Sequence, residues 1–335
     1  MAYNIRMRSS SKKLLYFWKK RTVVLFVLAI FVVIAHTAGL HPLTGVAVPL
    51  FFIISGATFF RDYNPKKYKT KIKSRFQSLF LPFILWNTIA LLFFELSSLV
   101  PFSGRSFEPL GIQDIIEGVF FYKYNYAFWF LYNLIFFVLI TPIFDFFAKS
   151  KFRAFLFIAF CLTLPYLCGD LFAFLKLNAE SVVFYAIGCT IGKHAFNDFA
   201  KRPNVVTNNW KYIIIITICI TIRVLIERMV WNMPLIMEQV CLAIYCFAFW
   251  KFIDVFLIKV KIRNFMDTPF LIYAMHPNLS ATIMILFPII FGEGQIMSIV
   301  NCVIAPIITV LLIIAVATFW RKFMPKSYAL FSGGR

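Results

Sequence analysis

The sequence predicts an all-α fold, a multi-pass transmembrane bundle of about ten helices, and three observations carry that prediction. Hydrophobic residues make up 61% of the 335-residue chain and charged residues 14%, and the mean hydropathy is +0.82, far from the balance a water-facing surface needs. Runs of roughly 20 apolar residues, the length that crosses a bilayer, recur from Thr22 to Trp320 with short polar breaks between them. The basic residues, finally, alternate from one break to the next.

Taken in order, the predicted spans are 22–40, 44–60, 79–101, 127–147, 153–174, 181–196, 212–230, 235–256, 268–291 and 297–320. They form one membrane domain, 22–320, between a basic N-terminal segment, 1–21, and a tail, 321–335. The N-terminal segment reads as retained ahead of a first helix, because the apolar run after it continues through His36 into a second span. With the N-terminus inside, 29 of the 34 Lys and Arg residues fall in the tails and loops of one side, while the opposite loops hold Arg105, Lys123, Lys176 and Arg228. This bias predicts both termini in the cytoplasm. It also accounts for the net charge of +20 without nucleic acid, since basic segments beside spans follow from topology and anionic lipid. The loop 103–123 is the longest on the outer side, and its stretch Ile112 to Phe121 has apolar residues at helical spacing, as an interfacial or re-entrant helix would. The seven cysteines sit in apolar runs with no Cys-x-x-Cys pair, which suits small core residues and gives no metal-binding pattern.

Neither inward loop is large enough to hold a soluble catalytic domain, so chemistry must use side chains within or beside the bilayer. An Asp, Lys or Arg near a helix centre costs about 2.5–3.5 kcal/mol, which makes each one a candidate. The candidates are His36, Glu95, Asp170, Arg223, Glu227, Glu238 and His276. Arg223 and Glu227 stand four apart and are expected to pair along one helix face. Glu95, Asp170 and Glu238 lie toward span ends, within reach of interfacial water. The two histidines differ, because a neutral imidazole is tolerable in lipid and titrates near neutrality. Counted at 1.5 Å per residue, His36 lies roughly 21 Å and His276 roughly 12 Å from the starts of their spans, so both occupy the middle zone about 9 Å apart in depth.

The segment VIAHTAGLHPLTGVAVPLFFIISGATFF (33–60), followed by a basic run ending in KSRFQSLFLPFILWN (73–87), resembles the integral membrane acyltransferases of acyltransferase family 3. The landmarks stand in the family's order: His36 late in helix one, Phe51 to Gly56 as Phe-Phe-x-x-Ser-Gly in helix two, Arg75 closing a basic loop and Pro82 early in helix three. Farther along, AFWFLYNLIFFVLITPIF (127–144), FYAIGCTIGK (184–193) and DTPFLIYAMHP (267–277) are similar to its Trp-Phe-Leu, Gly-containing and Tyr-x-x-His segments. One position departs: many members carry Arg eleven residues before the helix-one His, where this chain has Leu25, with Arg21 one turn away.

The resemblance implies a bacterial plasma-membrane enzyme that moves an acetyl or other short acyl group from acyl-CoA, as co-substrate, to a hydroxyl of a surface polysaccharide or its precursor. No bound cofactor or metal is implied. His36 becomes the expected base, and His276 orients substrate or polarises the thioester. Lys69, Lys71, Lys73 and Arg75 become the expected partners of the CoA phosphates. Ser55, with Gly56 beside it, Trp129 and Tyr273 are expected to line the pocket. A glycan transporter or flippase would share the hydropathy but should show inverted repeats or helices broken in matching halves, and neither is visible. A chain without acyl-transfer activity is the reading that Leu25 favours.

Overall fold

The computed structural model describes residues 2–98, 110–201, 210–228, 234–257, 260–292 and 294–334, and the regular elements among them are all helical. Helix α1 (Ala2–Ala38) leads through the short α2 (His41–Thr44) to α3 (Ala47–Phe60). Helix α4 (Tyr68–Arg75) passes through a π turn, Phe76–Phe80, into α5 (Leu81–Ser98). Then come α6 (Ile112–Phe120), α7 (Trp129–Leu139), α8 (Thr141–Ala148), α9 (Lys151–Phe174), α10 (Ser181–Thr190) with a second π turn at Ile191–Ala195, and α11 (Phe196–Phe199). The chain closes with α12 (Trp210–Glu227), α13 (Leu235–Leu257), α14 (Pro269–Phe291), α15 (Gln295–Phe323) and α16 (Pro325–Phe331).

Ten spans were expected. Among the described residues, seven helices are long and apolar enough to cross a membrane, and an eighth segment joins α7 to α8 through a 66° bend. The bend falls where Pro142 removes a backbone donor, and the Thr141 hydroxyl donates to the Val138 carbonyl at 2.7 Å. The two remaining expected spans are helices of a different kind. Helix α10 gives way to its π turn after ten residues, and α12 carries Lys211, Arg223 and Glu227 within its length. The outside of the bundle is apolar, as a lipid-facing surface must be: on α9, Phe155, Leu167 and Phe174 are 68%, 66% and 82% exposed. The interfacial stretch folds as α6, with Ile112 outward and Asp114 accepting from the Gly111 amide at 3.0 Å and from Lys123 at 2.7 Å. The Lys123 hydrogen bond holds the Asp114 carboxyl below its ordinary value.

Helix α1 runs through the centre, burying Val24, Leu28, Ala29 and Val33 completely against α3, α13, α14 and α15. The tightest packing joins α3 to α10. A Cβ on Gly56 would meet the Tyr185 carbonyl at 2.7 Å, one on Gly188 the Ile53 carbonyl at 2.3 Å, and one on Gly192 the Ala57 carbonyl at 2.7 Å. Without a hydrophobic force between helices in lipid, such small-residue seams hold helices by close contact.

Three ion pairs among the described residues lie across helical elements, the first joining Lys193 of the second π turn to Asp145 of α8 at 2.7 Å. Lys20 meets Asp254 at 2.6 Å with both side chains buried, Tyr16 donates to the same carboxylate at 2.6 Å, and the ammonium sits over the Trp250 ring. Lys20 had been counted with the cytoplasmic N-terminal segment, and Asp254 lies within the expected span 235–256 without having been singled out. Arg223 pairs with Glu238 of α13 at 3.0 Å, which corrects the expected pairing with Glu227. The guanidinium turns into the bundle over Gly45, where a Cβ would stand 2.8 Å from its Nη2, and Glu227 faces outward, exposed. Glu238 therefore serves as an inter-helix partner.

Candidate active site

His276 is fully buried in α14, and the residue after it explains its posture. Pro277 has no N–H, so the Tyr273 carbonyl four residues back lacks its helical donor. The His276 ring fills that vacancy: Nδ1 lies 2.8 Å from the Tyr273 carbonyl and 3.1 Å from that of Ile272. Carbonyls only accept, so Nδ1 carries the proton and Nε2 keeps its lone pair. Nε2 is buried and has no hydrogen-bond partner among the described residues.

The His36 ring stacks on it, with centroids 5.3 Å apart and planes at 26°, and meets the Tyr126 ring edge-on at 5.1 Å. The depth offset of about 9 Å between the two histidines assumed level span starts. Helix α1 begins far before Thr22, and its crossing with α14 brings the rings into contact as a stack. His36 is exposed on the face where α1 ends and α7 begins, called here the distal face.

From the opposite, basic face a cavity of about 460 Å³ runs inward to Tyr273, one helical turn short of His276. Its outer lining carries Arg21, Asp267 and Arg321, and its inner lining is Phe51, Ile54, Ser55, Phe130 and Tyr273. The Tyr273 ring lies flat on Phe128 at 5.3 Å, and its hydroxyl donates to the Ala127 carbonyl. Neither histidine belongs to the cavity lining; His276 stands between its inner end and His36.

A family model described as an acyltransferase domain matches residues 25–320. The chain belongs to membrane acyltransferase family 3. Comparisons with curated proteins and with solved structures return no match.

In this acyltransferase the expected pocket residues separate into two sets. Ser55 and Tyr273 line the cavity. Trp129 lies elsewhere, in a 380 Å³ distal pocket with Tyr122, Asn133, Lys176 and Asn178. The four loop cations divide between two faces of α4 by their i, i+4 spacing. Lys69 and Lys73 border a shallow pocket with Tyr68 and Phe76, while Lys71 donates to the Phe59 carbonyl at 2.8 Å and Arg75 lies over the Phe59 ring. None of the four lines the 460 Å³ cavity. Its cations are Arg21 and Arg321, and Leu25 lines it one turn from Arg21. The departure at Leu25 thus leaves a guanidinium in the same cavity, shifted one turn toward the basic face, and its buried Nε has no hydrogen-bond partner among the described residues. Sequence reasoning missed Arg321 and Asp267, which looked like ordinary loop charges, and Tyr126. The one legible signal passed over was the His-Pro dipeptide at 276–277, which frees a carbonyl for the ring.

Proposed function

We propose that this acyltransferase moves an acetyl or other short acyl group from acyl-CoA, entering at the basic, cytoplasmic face, to a hydroxyl of a polysaccharide or its precursor arriving at the distal face. The observation that carries the reading is the bare, buried Nε2 of His276, held by its Nδ1–H bonds between the inner end of the cavity and the exposed His36. A hydroxyl reaching that nitrogen gives it the proton as its oxygen attacks the thioester carbonyl. The carbon–sulfur bond then breaks, and the proton passes to the departing thiolate. This favours His276 over His36 as the base; His36, stacked beside it and open to the distal side, positions the acceptor. The Ser55 hydroxyl, within the cavity, is suited to donate to the thioester oxygen.

Arg21 and Arg321 suit the CoA phosphates better than the loop lysines, because they line the cavity itself. A charge-assisted contact is worth about 1.5–3 kcal/mol, so Arg21→Met is expected to raise KM for acetyl-CoA about ten- to a hundredfold with kcat little changed. Lys69→Ala should leave KM near wild type in the same steady-state assay. The reverse ranking would return the phosphates to the loop.

The function itself is tested by mass spectrometry of surface polysaccharide from cells with and without the gene. Loss of acyl esters from an intact polymer supports the reading. Loss of the polymer, with precursor retained inside, would assign the chain to glycan transport.

A further inference from the structure

The cavity has a neighbour. A chamber of about 220 Å³ lies beside it, lined by Phe76, Leu79 and Phe80 of the π turn and by Ile135, Val138 and Leu139 of α7, together with Ile72 and Arg75. Leu79 belongs to both linings and is 3% exposed. Helix α7 completes the division, giving Leu131 and Leu134 to the cavity and Ile135 and Val138 to the chamber. One buried leucine therefore stands in the wall between a cavity with two arginines in its lining and a smaller apolar space.

Its position is held from behind. A π turn places an extra residue in the helix and is often found beside functional sites. Phe76 and Phe80 stack across this one at 4.9 Å. The C-terminal tail backs it: Gly333, at φ +71°, approaches so closely that a Cβ would lie 2.3 Å from the Ser78 carbonyl, and Trp86 of α5 donates to the Phe331 carbonyl at 2.9 Å. The tail thus packs against the backbone of the residue next to Leu79.

We infer that Leu79 sets the length of the acyl group this protein accepts, by closing the apolar chamber off from the cavity that receives the donor. The inference rests on the acyl-CoA reading above. The chamber's occupant, once the wall is opened, is the donor's own hydrocarbon chain. Continuity with the cavity through a single side chain, and a lining that is apolar apart from Arg75, whose guanidinium lies over Phe59, favour that occupant. Each methylene accommodated or refused in an apolar pocket changes discrimination about tenfold or more, so one residue is enough to set a limit.

The test uses the full chain in lipid nanodiscs and competes tritiated acetyl-CoA with unlabelled acetyl-, butyryl- and octanoyl-CoA. In the wild type, octanoyl-CoA is expected to compete about tenfold or more weakly than acetyl-CoA. In Leu79→Ala it should compete at least as well as unlabelled acetyl-CoA does with the same variant. Leu79→Val, a milder change that guards against misfolding, should fall between. Adding Val138→Phe to Leu79→Ala refills the chamber and should restore the wild-type order. An unchanged length order in Leu79→Ala, or extra phospholipid co-purifying with it and no gain for octanoyl-CoA, would overturn the inference while acetyl-CoA binding still stood. Absence of acetyl-CoA binding in the wild type would overturn the donor reading itself.

Discussion

Replacing His276 with glutamine is expected to lower acyl transfer about 10²- to 10⁴-fold while leaving the protein folded and able to bind acetyl-CoA. The ring is fully buried, its Nδ1–H is committed to the Tyr273 and Ile272 carbonyls, and its Nε2 has no hydrogen-bond partner among the described residues. Glutamine keeps much of the volume and can still donate to a backbone carbonyl, but the remaining amide group is no base near neutral pH. The loss should therefore appear in kcat, with KM for the donor nearly unchanged, since the donor cavity ends at Tyr273. His36→Asn should cost less and act mainly on KM for the acceptor, because that ring is exposed on the distal face and touches His276 only by stacking. Single-turnover transfer from labelled acetyl-CoA to an oligosaccharide decides between them. A dead His36→Asn beside an active His276→Gln would reverse the two roles.

These assignments rest on contacts of the kind a sequence conceals. Hydropathy and the placement of lysines and arginines are properties of the chain taken window by window, so the membrane bundle and its basic face were legible residue by residue. Partnerships between helices were not. Spacing can propose that Arg223 meets Glu227, because four residues make one helical turn, but it carries no information that α13 brings Glu238 to the same guanidinium. Lys20 and Asp254 escaped for the opposite reason. A lysine beside a span satisfies the topology rule whether it faces the cytoplasm or, as here, a carboxylate 2.6 Å away in the interior. The loop of Lys69 to Arg75 looked like a phosphate site on the same ambiguous evidence, and the cations that line the cavity stand midway along α1 and near the end of α15, 300 residues apart. His36 and His276 were legible as residues, while their contact depends on a crossing that depth counting along two separate helices does not fix.

The glycine seam between α3 and α10 yields the largest structural effect. Gly188→Ala would place a methyl carbon 2.3 Å from the Ile53 carbonyl oxygen and 3.0 Å from the Ile53 Cα, atoms of backbone that no rotamer change can move aside. The helices must part along the whole contact, forfeiting the close packing that also depends on Gly56 and Gly192. Overpacking of this kind costs about 1–3 kcal/mol for one methyl, and Gly188→Leu should exceed what the fold tolerates. The same substitution at Gly169 serves as the control: nothing lies within 4 Å of its added Cβ, so Gly169→Ala should be neutral or slightly stabilising through helix propensity. Thermal unfolding of the detergent-solubilised variants, followed by size-exclusion fluorescence, measures the difference. The consequence reaches the site, because α3 carries Phe51, Ile54 and Ser55 into the cavity wall. A Gly188→Ala protein that survives purification should accordingly bind acetyl-CoA more weakly than Gly169→Ala, and equal midpoints for the two variants would mean that α3 and α10 do not touch backbone to backbone.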